Sequence, residues 1–95
     1  MAKIVMSWNI NKEDEATYFE FVVQEWLPEL MKLGLRPMQA WYTLYGDGPQ
    51  IISTAEAVTG DDLDGLRNIV RSDEWKTLVT KLDRYVTDYK QRLAK

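Results

Sequence analysis

An α+β domain, an antiparallel sheet with helices on one face, is predicted by three features of the sequence. Residues alternate in period two over 3 to 9 and again in two runs between 37 and 58. Apolar residues recur at helical spacing from 16 to 31 and from 63 to 86. The stretch "GDGP" separates the two later runs, where glycines accept the positive φ of a tight reversal. Ninety-five residues make one domain, 1–95, with a single core near the small end of independent stability.

The first strand covers residues 3 to 9, with Ile4, Met6 and Trp8 on one side and Val5, Ser7 and Asn9 on the other. Asn11 then reads as a helix N-cap, followed by Glu13, Asp14 and Glu15 where the helix dipole favours negative charge. Ala16, Phe19, Val23, Trp26, Leu27, Leu30 and Met31 form the expected inner stripe of that helix. Pro28 removes a backbone donor and predicts a kink or restart near Trp26 to Pro28, and Gly34 is the expected stop.

The second strand runs from about Pro37 to Tyr45, with Met38, Ala40, Tyr42 and Leu44 on one face and Gln39, Trp41, Thr43 and Tyr45 on the other. Ile51 to Val58 returns as the third strand of a hairpin. Thr59 or Asp61 caps the next helix, whose inner stripe is Leu63, Leu66 and Val70. Ser72 caps a last amphipathic helix carrying Trp75, Leu78, Val79, Leu82, Tyr85, Val86 and Tyr89, expected to reach about Thr87. The tail "YKQRLAK" reads either as more helix or as a strand with Tyr89, Gln91 and Leu93 on one side.

The order β-α-β-β-α-α, with a possible last strand, suggests a ferredoxin-like split βαβ arrangement. A right-handed crossover is expected to set the first and third strands side by side and parallel. One sheet face then receives the helices, yet Trp41 and Tyr45 cannot share a face with Met38, Tyr42 and Leu44. Apolar area on both faces predicts a two-fold homodimer that covers the second face.

With those elements in place, the chain resembles the dimeric α/β-barrel superfamily, and most closely its small NIPSNAP-like and antibiotic-biosynthesis-monooxygenase-like members. The residues carrying the resemblance are "SDEWKTLVTKLDRYVTDY", with an acidic cap before a tryptophan-led helix, and "YFEFVVQEWLPEL" leading to "LGLRPMQAWYTLYG". The resemblance implies two facing sheets that close a barrel across a dimer, with the helices outside. It also implies ligands held between a protomer's own sheet and its helices. Some members are cofactor-independent monooxygenases that hold an electron-rich aromatic substrate beside Asn, Trp and Tyr side chains. Others degrade haem, a pattern from which this chain departs because it has no histidine.

Composition narrows the chemistry further. Without cysteine or histidine there is no thiolate nucleophile, no Cys-ligated zinc and no imidazole base. A net charge of −3, with acids dispersed, argues against a nucleic-acid partner. The start "MAKIVMSWNI" does not read as a signal peptide and no apolar run approaches a membrane span, so a cytoplasmic protein is expected.

Seven residues stand out as ligand-binding candidates. Trp8 and Asn9 end the first strand, and Asn9 resembles the strand-one asparagine of the monooxygenase-like members, where the amide can orient a substrate oxygen. Its alternative role is to lead into the helix cap. Trp41, Tyr42 and Tyr45 alternate and cannot form one wall, so core or interface packing comes before ligand stacking. Arg36 could meet a carboxylate through its planar fork, or simply begin a strand at the surface. Trp75, with Trp26, belongs to the core, where one of the two could border a cavity. Asp61, Asp62 and Asp64 lack calcium-loop spacing and read as caps, so neither a metal nor a cofactor is expected. The predicted function is a homodimer binding a small apolar or aromatic ligand; the alternative is a cofactor-independent monooxygenase acting on an aromatic or quinol-like substrate.

Overall fold

The computed structural model describes residues 2–43, 48–58 and 63–94. Strand β1 (Lys3–Ile10) leads through a 3-10 turn (Lys12–Asp14) into helix α1 (Glu15–Phe21), a π-helical stretch (Val22–Trp26) and helix α2 (Leu27–Lys32). Strands β2 (Leu35–Tyr42) and β3 (Ile51–Ala57) follow, then helices α3 (Leu63–Arg71) and α4 (Asp73–Leu82) and a last strand β4 (Val86–Ala94). The four strands form one sheet in the order β2-β3-β1-β4. Every recorded pairing is antiparallel, and the helices pack on one face, which is the ferredoxin-like arrangement.

The expected parallel pairing of β1 and β3 is corrected: they run antiparallel, with Ile4 opposite Ala55 and Trp8 opposite Ile51. The crossover brings β2 into the sheet parallel to β1 but not beside it. The hairpin then drops β3 into the slot between them, so β3 opposes both.

The first helical region keeps its boundaries but not its expected phase. Tyr18, Phe21, Trp26 and Leu30 are buried, whereas Phe19, Val23 and Met31 are exposed and Ala16 also lies outside the core. Four-residue steps dominate, with Tyr18, Val22, Trp26 and Leu30 inward and Phe19, Val23, Leu27 and Met31 beside them. An α-helix turns too far in four residues to keep such a stripe straight. The π stretch turns less per residue and cancels the drift. It precedes Pro28, whose missing N–H and bulky ring disfavour a regular turn against Gln24. The predicted irregularity is therefore present, one turn earlier than the proline itself.

Asn11 stands before the 3-10 turn, but its side chain makes no cap bond there and instead donates to the Arg84 carbonyl at 3.4 Å. Gly34 does end the region, at φ +86°, where a side chain would be strained. The Ser72 cap forms as expected, its Oγ accepting from the Trp75 N–H at 3.2 Å. The caps assigned to Thr59 and Asp61 lie outside the described residues, as do Asp62, Leu44 and Tyr45.

Helix α4 ends at Leu82, short of the expected Thr87, and the tail is a strand. The Tyr85 N–H bonds the Leu82 carbonyl and the Asn11 N–H bonds the Tyr85 carbonyl, which ties the turn to the end of β1. Val86 and Thr87 are β-branched and enter a sheet more easily than a helix. A bulge between Pro37 and Gln39 places Met38 as the extra residue of β2. Beyond it, Trp41 pairs with Ile52 and Tyr42 with Ile51, so the predicted separation of Trp41 and Tyr42 onto opposite faces holds.

Candidate functional site

Between sheet and helices the space is filled with aromatic side chains. Trp8, Trp26 and Trp75 are each about 2% exposed. The Trp8 ring meets Trp26 edge-on at 5.8 Å and stacks on Tyr89 at 5.9 Å, and Trp26 lies 5.9 Å from Trp75. The polar tips of Trp8, Tyr18, Trp75 and Tyr89 have partners. Trp8 Nε1 donates to Tyr18 Oη at 2.9 Å, Trp75 Nε1 donates to Gln91 Oε1 at 3.3 Å, and Tyr89 Oη donates to the same oxygen at 2.8 Å. Burial raises both tyrosine pKa values above 10, while the bond from Trp8 partly opposes the rise at Tyr18. Trp8 and Trp75 are thus core residues.

Among the described residues, the other sheet face carries no helix. Its strand positions form rows across β2, β3, β1 and β4: Arg36, Glu56, Lys3 and Ala94; Gln39, Thr54, Val5 and Arg92; Trp41, Ile52, Ser7 and Lys90. Trp41 is 49% exposed on this face. Arg36 extends over Glu56, whose side chain is 2% exposed, and the two form an ion pair. The second oxygen of Glu56, Oε2, is buried and has no hydrogen-bond partner among the described residues.

Asn9 also faces this side, opposite in direction to Trp8. Its Oδ1 accepts from the Gln50 N–H at 2.9 Å, and its Nδ2 donates to Asp88 Oδ2 at 3.3 Å. Gln50 in turn accepts from the Ile10 N–H at 2.7 Å and donates to Tyr42 Oη at 3.3 Å. Tyr42 sits on the helix side of β2, half-exposed near the sheet end. Asp88 adopts φ +56°, an unusual conformation for a residue with a side chain, at the bulge between Ser7 and Asn9. These groups edge a cleft of about 280 Å³ lined by Ser7, Asn9, Gly48, Pro49, Asp88 and Lys90.

The seven candidates therefore separate. Asn9, Trp41 and Arg36 lie on the helix-free face, and Tyr42 reaches the Asn9 cluster through Gln50. Trp8 and Trp75 are in the core, and Tyr45 lies outside the described residues. Glu56, Gln50, Asp88, Lys90 and Arg92 were not singled out from sequence. Lys90 and Arg92 alternate with Tyr89, Gln91 and Leu93, a period-two signal available once the tail is read as a strand. Among the described residues no group of acids could hold a metal ion, and no helix is long and apolar enough to cross a membrane.

The chain is similar to an ethyl tert-butyl ether d (EthD) family protein from Bacillus halodurans, with a TM-score of 0.72 at 17% identity, covering 100% of this chain and 98% of that one. A NIPSNAP domain protein from Burkholderia xenovorans gives a TM-score of 0.68 at 11% identity, covering 100% and 93%. The shared fold is the ferredoxin-like α+β arrangement. An antibiotic biosynthesis monooxygenase shares this fold too, with a TM-score of 0.62 at 14% identity and coverage of 100% and 97%. No protein-family model matches the sequence, and no curated protein matches it. The packed Trp8–Trp26–Trp75 core occupies the sheet–helix space, and the polar cluster around Asn9 with its cleft lies on the helix-free face.

Proposed function

We propose that the chain is a homodimeric small-ligand-binding protein in which two helix-free sheet faces close on each other and enclose the cleft beside Asn9. The observation carrying this reading is Trp41, half-exposed and in one row with Ile52 on a sheet face that no helix covers. An indole bared to water beside a second apolar side chain favours association, at ~25 cal/mol per Å² of apolar surface removed. The shared fold with dimeric α/β-barrel proteins supports the same geometry. Ligand binding rests on the cleft, where Ser7, Asn9, Asp88 and Lys90 converge at a strained strand position.

Binding without turnover is favoured over oxygenation because the Asn9 amide is engaged at both ends, by Gln50 and Asp88, and lies across the sheet from Trp8. A panel of small aromatic compounds tests this: a true ligand raises the melting temperature with the logarithm of its concentration. A panel in which no compound shifts melting contradicts the binding reading, and oxygen uptake that depends on Asn9 would replace it with the oxygenase.

A further inference from the structure

We infer that the helix-free face takes a small organic anion with a planar apolar body, its charge held by Lys90 and Arg92 and its body lying toward Ile52 and Trp41. The inference rests on the dimer reading above and gives its ligand a charge. Among the described residues, four cations, Lys3, Arg36, Lys90 and Arg92, stand on this face against two carboxylates, Glu56 and Asp88, although the whole chain carries −3. Both carboxylates are already engaged, Glu56 by Arg36 and Asp88 by the Asn9 amide. Lys3, Lys90 and Arg92 have no acidic partner among the described residues.

Lys90 and Arg92 sit two residues apart on β4, both on the helix-free side, opposite Ser7 and Val5. The row beginning at Lys90 continues through Ser7 to Ile52 and then Trp41, in strand steps of roughly 5 Å. A ring bearing an acid group matches that sequence of cation, hydroxyl and apolar surface. Closing two such faces on each other would take unpaired cations out of water, which is unfavourable unless an anion enters with them. An anion is thus the ligand charge that also stabilises the closed dimer.

The probes are benzoate, phenyl phosphate and benzamide, titrated into the full chain at low ionic strength and followed by calorimetry and by the backbone amide signals of β4. Benzoate and phenyl phosphate are expected to bind, the stronger of the two naming a carboxylate or a phosphate as the natural group. Neutral benzamide should bind roughly tenfold more weakly, the loss of one charge-assisted hydrogen bond. The double variant Lys90→Gln/Arg92→Gln should lose benzoate by at least about that factor, while Lys76→Gln on α4 leaves it unchanged. Equal binding of benzamide and benzoate, or an unaltered affinity in the double variant, overturns the inference. Binding of an oligodeoxythymidine with neither small anion bound overturns it as well. Mass in solution is measured on the same samples. A single chain that binds benzoate through Lys90 and Arg92 overturns the dimer alone, and a dimer indifferent to benzoate overturns the anion site alone.

Discussion

The indole N–H of Trp8 on β1 donates to the hydroxyl of Tyr18 on α1 at 2.9 Å, and both side chains are buried. This bond joins the central strand to the helix that covers it. Tyr18→Phe removes the acceptor and strands a buried donor, a loss of about 1–3 kcal/mol. Urea unfolding should show that loss as a lower midpoint with an unchanged slope. In a Trp8→Phe background the same substitution should cost much less, because no donor is left unpaired.

Tyr18 and Tyr89 are both held neutral by burial, with pKa values above the ordinary value of 10. The native chain therefore retains these protons at a pH where the unfolded chain has released them. Their contribution to stability is fully present below pH 10 and is lost as pH rises above it. Each tyrosine adds up to about 1.4 kcal/mol of loss per pH unit in that window. Denaturation at increasing alkaline pH should show a shallower decline for Tyr89→Phe than for the parent chain.

Glu56 is enclosed on the sheet face with Arg36 as its counter-charge. Arg36→Gln leaves a buried carboxylate without a cation, and the 65% exposure of the arginine limits the loss to about 1–3 kcal/mol. Adding Glu56→Gln should restore most of it, since a neutral amide has no charge to desolvate. A double variant as unstable as Arg36→Gln alone would contradict this account.

The phase of the π-containing helix separates two neighbouring types of position. Val23 is 67% exposed and Leu30 1% exposed. Val23→Gln should alter stability by no more than about 0.5 kcal/mol, and Leu30→Ala should cost about 2–5 kcal/mol. Thermal melts of the two variants give the comparison directly.

Strand alternation was legible wherever the sheet was regular: Ile4, Met6 and Trp8 are buried as their period-two spacing requires. The helical phase was not, because Phe19, Val23 and Met31 fit a 3.6-residue period and a π turn changes that period. The end of α4 was misread because Val86 and Tyr89 stand three apart, a helical spacing, and only the bulge at Asp88 brings both to the helix side of a strand. Only pairing with β1, a contact distant in sequence, decides between helix and strand. At the site, Asn9 and Arg36 were visible as strand-end polar residues. The cationic face was not, since its four cations come from three strands and vanish into a net charge of −3.

Sedimentation equilibrium of the intact chain at micromolar concentration tests most directly the proposal that a second copy covers the helix-free sheet face. A mass of twice 11.1 kDa, reverting to one chain in Trp41→Asp with the fold retained, is the predicted result. A folded parent chain that sediments at 11.1 kDa throughout that range contradicts it.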